Sequence, residues 1–122
     1  MDSILIVDDD IKLCATLSED LNEIGYYTHF VTNVEDALSY LSKSKVNLIL
    51  LDLKMPEKDG FHLLEHVKEI SADIKIIVLT ANIDVESAVK AAQLGVDDYI
   101  LKPFKFDKLL LTTRKVLQKE FV

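Results

Sequence analysis

Leu48-Ile49-Leu50-Leu51-Asp52 places four consecutive aliphatic residues directly before a carboxylate, with no polar residue between them. A strand with one face in water alternates apolar and polar side chains. An unbroken aliphatic run instead marks a strand buried on both faces, as in a parallel sheet covered by helices. The stretches around Ile6 and Ile77 read the same way: Ile4-Leu5-Ile6-Val7 ends at Asp8, and the run from Ile74 to Leu79 ends at Thr80.

Helical patterns separate these runs. One extends from Ile11 to Ile24, with Gly25 placed to end it. A short strand over Tyr27–Val31 follows, and Thr32 with Glu35 reads as a capping box opening a helix that turns Ala37, Leu38 and Leu41 inward. Pro56, Asp59 and Gly60 make a loop, and Phe61, Leu64, Val67 and Ile70 describe the next helix. Val85, Ala88, Val89 and Ala92 mark a fourth helix, ended by Gly95; Tyr99-Ile100-Leu101 is the last strand, ending at Lys102; Phe106, Leu109, Leu110, Thr113 and Leu117 give the final helix. Strict alternation of strand and helix predicts an α/β fold of the doubly wound (βα)5 kind: a flavodoxin-like five-stranded parallel sheet of order 2-1-3-4-5. Without a linker, repeat or low-complexity stretch, the reading is one domain over residues 1–122.

Open parallel sheets bind ligands beyond the carboxyl ends of their strands, where the strand order reverses. At those ends the first strand supplies Asp8 and Asp9, the third Asp52, the fourth Thr80 and the fifth Lys102. Three neighbouring carboxylates repel one another and invite a hard divalent cation; Mg2+ takes oxygen ligands, keeps several waters and shares phosphate oxygens. A carboxylate can act as a nucleophile and form an aspartyl phosphate. The Lys102 ammonium suits a phosphate oxygen and the Thr80 hydroxyl can donate to another, so the set reads as a phosphoryl-transfer site.

Ile4-Leu5-Ile6-Val7-Asp8-Asp9-Asp10, Leu51-Asp52-Leu53-Lys54-Met55-Pro56, Asp59-Gly60, Thr80-Ala81 and Tyr99-Ile100-Leu101-Lys102-Pro103-Phe104 together resemble the receiver domains of two-component response regulators, of the chemotaxis-regulator kind. The resemblance covers essentially the whole chain. It implies that Asp52 is phosphorylated, that Asp9 ligates Mg2+ directly and Asp8 partly through water, and that Asp52 and the Lys54 backbone carbonyl complete the protein ligands. It further implies that Lys102 pairs with the phosphoryl group, that Thr80 swings toward it while Tyr99 rotates inward, and that the Lys102-Pro103 bond is cis, X-Pro being the one place where cis costs little. The implied donor is a phosphohistidine on a sensor histidine kinase or histidine phosphotransfer protein. The domain would catalyse only its own phosphotransfer and dephosphorylation, as a switch rather than an enzyme. Lys54, two residues past Asp52, is expected to hinder or redirect the attacking water, with Asn82 a second rate-tuning candidate.

The resemblance implies an output through a downstream domain or protein. The stretch from Asp84 to Pro103 resembles receivers joined to sigma-54-activating ATPase modules, and the expected signalling face is the fourth helix, fifth strand and fifth helix. A phosphorylation-dependent homodimer is an option the resemblance leaves open. A haloacid-dehalogenase-like phosphatase would need a second aspartate where Lys54 stands, and a flavin carrier would need a Ser/Thr/Gly-rich loop where Asp8-Asp9-Asp10 stand. Neither G-x-G-x-x-G nor a P-loop is present.

The bulk properties agree. The 122 residues are 49% hydrophobic and carry a net charge of −7, which suits a folded domain and disfavours direct nucleic-acid contact. There is no apolar run long enough to span a membrane and no basic segment before an apolar one, so the cytoplasm is the expected compartment. Cys14, the single cysteine, is expected as a small apolar filler beside Leu17 and Leu21, and Asp10 as a helix N-cap. His62-Leu63-Leu64-Glu65-His66 matches the H-x-x-E-H pattern of inverted zinc peptidases, but a solvated helix face is the expected account. His29 is expected to be structural and without an evident partner. Arg114, Lys115 and Lys119 read as charges favoured at a helix C-terminus.

Overall fold

A computed structural model describes residues 2–55, 60–81 and 83–118. Five strands, β1 (Ser3–Val7), β2 (Tyr27–Val31), β3 (Leu48–Leu51), β4 (Lys75–Thr80) and β5 (Asp98–Leu101), alternate with five helices, α1 (Ile11–Ile24), α2 (Val34–Lys43), α3 (Gly60–Ile70), α4 (Val85–Gln93) and α5 (Phe106–Leu117). The strands form one sheet in the order β2-β1-β3-β4-β5, and every neighbouring pair is parallel. Both the topology and the element order are those expected from the aliphatic runs.

The sheet divides the interior in two, because successive strand residues point to opposite faces. Leu5, Val7, Ile49, Leu51, Ile76 and Val78 pack against Val34, Ala37 and Leu41 of α2, Leu63, Leu64 and Val67 of α3, and Ala91 of α4. Ile4, Ile6, Leu48, Leu50, Ile77 and Leu79 pack on the other side against Cys14, Leu17 and Leu21 of α1 and Leu109 and Val116 of α5. Complete burial of β1 and β3 beyond Ser3 explains why neither carries a polar residue within its length. The edge strand β2 is largely exposed or half-buried, and its sequence is accordingly mixed. Asn47 fixes the start of the central ladder: its side chain accepts from the Ser3 N–H at 2.8 Å and its own N–H donates to the Ser3 carbonyl at 2.9 Å.

Local sequence sets the helix ends. Asp10 caps α1 by accepting from the Leu13 N–H at 3.1 Å, and Gly25 closes it at φ 118°, a left-handed conformation that costs glycine little. The start of α2 differs from expectation. Asn33, not Thr32, is the N-cap, accepting from the Asp36 N–H at 2.8 Å and donating to the Asp36 carboxylate at 3.0 Å. Both residue types can cap; the one whose oxygen reaches the third helical N–H prevails.

The apolar positions that mark α3 and α4 differ from the residues these helices bury. In α3 the buried set is Gly60, Leu63, Leu64 and Val67, while Phe61 is half-buried and Ile70 is exposed. Gly60 is the first helical residue instead of part of the preceding loop. In α4 only Ala91 is buried; Val85 is 81% exposed, Val89 52% exposed, and Ala92 is exposed as well. His29 does have a partner: its ring stacks on Tyr40 of α2, centroids 4.2 Å apart. Pro56, Asp59, Asn82 and Lys119 lie outside the described residues. Among the described residues no helix is long and apolar enough to cross a membrane.

Candidate functional site

Three of the chemically active residues sit one step past a strand and remain tied to the sheet by the next ladder hydrogen bond. The Asp8 N–H donates to the Val31 carbonyl of β2 at 3.2 Å, the Asp52 N–H to Val7 of β1 at 2.9 Å, and the Lys102 N–H to Thr80 of β4 at 2.8 Å. The backbone from which their side chains project is therefore fixed by the sheet ladder. Thr80 is itself the last residue of β4 and is buried.

This framework gathers Asp8, Asp9 and Asp52, whose carboxylate oxygens lie within 4.8 Å of one another. Asp8 and Asp52 are buried while Asp9 is exposed, so the cluster opens to solvent on the Asp9 side. The Lys102 ammonium reaches in from β5, 2.6 Å from Asp8 and 3.4 Å from Asp52. The second oxygen of Asp8 accepts from the Asp10 N–H at 3.0 Å, and Asp52 accepts from the Lys54 N–H at 3.0 Å. The Lys54 side chain points to solvent.

Burial pushes the Asp8 carboxyl above its ordinary range, against the opposing pull of the Lys102 hydrogen bond, the Asp10 N–H and the Lys102 charge. Burial also works against the charge of Lys102. The Asp8 hydrogen bond and the charges of Asp8 and Asp52 outweigh it, and the ammonium is held above its usual range. Asp8 is thus raised chiefly by burial, and Lys102 is held up by the negative charge beside it. An all-oxygen donor set with one ammonium among three carboxylates fits a hard divalent cation such as Mg2+.

The remaining candidates surround this cluster. Tyr99 is half-buried on β5, and its hydroxyl donates to the Ala88 carbonyl of α4 at 2.8 Å. Burial, then the Asp98 charge, raises the phenol's pKa. The Lys102-Pro103 peptide is cis. Cys14 lies beneath the site, buried, with its thiol donating to the Asp8 carbonyl at 3.3 Å; burial, then Asp8 and Asp10, push it up to about 12. A thiol held in that state is no nucleophile, as expected of a packing residue.

One supporting residue was hidden from sequence reasoning. The Gly60 N–H donates to the Leu53 carbonyl at 2.8 Å, and a Cβ on Gly60 would come within 2.8 Å of both the Asp52 carbonyl oxygen and the Leu53 Cα. The start of α3 is thereby seated on the backbone that carries Asp52. The signal in the sequence was the glycine itself, which a turn explains equally well. His62, Glu65 and His66 lie along α3, outside the cluster. A concavity of about 790 Å3 lined in part by Asp2, Asn47, Lys75 and Arg114 opens at the opposite, amino-terminal end of the strands and takes no part in the site.

Comparison with known proteins agrees with this geometry. Residues 4–114 match the response regulator receiver domain family. The chain is 36% identical over 119 residues to the transcriptional regulatory protein PcoR of Escherichia coli, covering 98% of this chain and 53% of that protein. It is 38% identical over 114 residues to the transcriptional regulatory protein ZraR of Klebsiella oxytoca, covering 93% of this chain and 26% of that protein. The chain therefore spans from about a half to a quarter of the length of these relatives. A CheY-like response regulator receiver domain protein from Methanospirillum hungatei superposes with a TM-score of 0.94 at 29% identity, covering 98% of this chain and 95% of that one. With its strand order, its acidic strand-end cluster and a family match over nearly its whole length, the chain belongs to the response regulator receiver domains of two-component systems.

Proposed function

We propose that this receiver is a phosphoacceptor switch, in which Asp52 takes a phosphoryl group from a phosphohistidine on a sensor histidine kinase or histidine phosphotransfer protein. The observation that carries the reading is the meeting of three carboxylates within 4.8 Å, two of which, Asp8 and Asp52, pair with the Lys102 ammonium. An Asp52 carboxylate oxygen attacks phosphorus; the P–O bond forms as the P–N bond breaks, and the imidazole leaves with the electron pair. Asp8, Asp9, Asp52 and the Lys54 carbonyl would hold Mg2+, which supplies positive charge against the phosphoryl oxygens.

The chain's own groups do the rest. Lys102 exchanges part of its contact with Asp8 for a phosphoryl oxygen, and the Thr80 hydroxyl donates to another. Movement of Thr80 frees space into which Tyr99 turns, giving up its bond to Ala88. That would connect the site to α4, β5 and α5, where Val85, Val89, Leu101 and Leu111 are exposed apolar residues available to an output domain or protein. Water later attacks phosphorus and the Asp52–O–P bond breaks, returning the carboxylate. Lys54, exposed beside Asp52, is placed to tune that step. Catalysis is confined to the chain's own phosphotransfer and dephosphorylation, and the proposed compartment is the cytoplasm.

Intact-mass measurement after incubation with Mg2+ and acetyl phosphate tests the reading. One phosphoryl adduct is expected, labile to hydroxylamine and absent both from Asp52→Ala and from a metal-free sample. An adduct that persists in Asp52→Ala would move the acceptor to another residue, and none in any sample would leave a receiver that acts as a phosphate-independent interaction module.

A further inference from the structure

His62 and His66 stand one helical turn apart on α3, both half-buried, and belong to no part of the phosphoacceptor cluster. Side chains at i and i+4 share a helix face, and here the two rings flank each other with centroids 4.8 Å apart and planes tilted by 49°. The Nδ1 of His66 lies 2.8 Å from the His62 carbonyl oxygen. A carbonyl only accepts, so that nitrogen carries the proton and, in the neutral ring, the lone pair is on Nε2 of His66. Metal-binding histidines are prepared in this way: the second ring nitrogen is anchored on a backbone carbonyl or carboxylate, which fixes both the tautomer and the ring orientation.

We infer that His62 and His66 form a two-histidine chelate for a borderline transition-metal cation such as Zn2+, separate from the hard-cation site at the strand ends. The two sites differ in ligand softness. Imidazole nitrogen favours Zn2+, Ni2+ and Cu2+, while the all-carboxylate cluster favours Mg2+. Among the described residues no third carboxylate, thiol or imidazole joins the pair, so water completes the coordination. Glu65 lies between the histidines in sequence but is exposed, and a peptidase arrangement is not supported. The ion would clip together the first two turns of α3, the helix whose first residue is seated on the Asp52 carbonyl.

The test is a Zn2+ titration of the intact chain with Mg2+ in large excess to occupy the carboxylate site, followed by histidine ring NMR signals and by calorimetry. One equivalent of Zn2+ is expected to shift the His62 and His66 ring signals and leave those of His29 in place. At least a tenfold loss of affinity is expected in His62→Gln and, separately, in His66→Gln, with wild-type affinity in Asp52→Asn. Ring signals of His62 and His66 that do not move, or Zn2+ binding that survives both histidine variants and disappears in Asp52→Asn, would overturn the inference and leave the pair as an aromatic contact.

Discussion

Lys102 acts as the resident counter-ion of the site. Its ammonium lies closer to Asp8, at 2.6 Å, than to Asp52, at 3.4 Å. Asp8 is fully buried and its ammonium partner only 21% exposed, so removing the cation strands a carboxylate in a poorly solvated place. Lys102→Met is therefore expected to cost about 3 kcal/mol in metal-free urea unfolding, the lower end for breaking a buried pair. Added Mg2+ should narrow the gap to wild type, since it supplies the missing charge. Equal losses with and without Mg2+ would show that packing of the lysine stem, rather than its charge, is what matters. At this scale the sequence was most informative. Asp8, Asp52 and Lys102 each interrupt an apolar run at its end, and their gathering followed from strand order alone. The hydroxyl of Tyr99 on Ala88 and the ring of His29 on Tyr40 were not readable, because each depends on a partner brought near only by tertiary packing.

Among the elements, α3 is placed by contact and α4 by elimination. The contact is Gly60 against the backbone of Asp52 and Leu53, atoms that cannot rotate away as a side chain would. Gly60→Ala is expected to destabilise the chain by about 2 kcal/mol, through the overpacking a new methyl forces, and to weaken Mg2+ binding by displacing the Asp52 segment. Urea unfolding and Mg2+ titration of the variant check both; unchanged values would mean the segment yields freely. In α4 the apolar positions Val85, Ala88, Val89 and Ala92 mark a helix, and helical period alone does not say which residue turns inward. The structure buries Ala91 and leaves Val85 and Val89 exposed. The amount of room beside β4 and β5 made that choice, and room is a property of the assembled fold.

For the whole molecule, a net charge of −7 and an acidic cluster imply a fold that gains stability from a divalent cation. Mg2+ at about 100 times its dissociation constant should add about 2.7 kcal/mol, a rise in melting temperature on the order of 10 °C for a domain of this size. The rise should shrink as pH falls from 7 toward 5. Asp8 holds its proton to higher pH than an exposed carboxylate, so protons compete with the cation earlier. The same raised pKa means that the metal-free fold gains stability as Asp8 protonates, which narrows the difference from the other side. Lys102, with its pKa raised, loses its contribution only at alkaline pH, above this window. Melting curves at the two pH values, with and without Mg2+, check the prediction; a rise that grows toward pH 5 would contradict it.

The sheet parts the interior into two half-cores that share strands but no helix: α2, α3 and α4 close one, α1 and α5 the other. Each outer surface can accordingly change its amino acids on its own, since the internal faces it must match lie on one side only. A lineage that duplicates such a gene can retool the side closed by α2 and α3, or the side closed by α1, separately, whereas the face of α4, β5 and α5 draws on both half-cores and has to change on the two sides together.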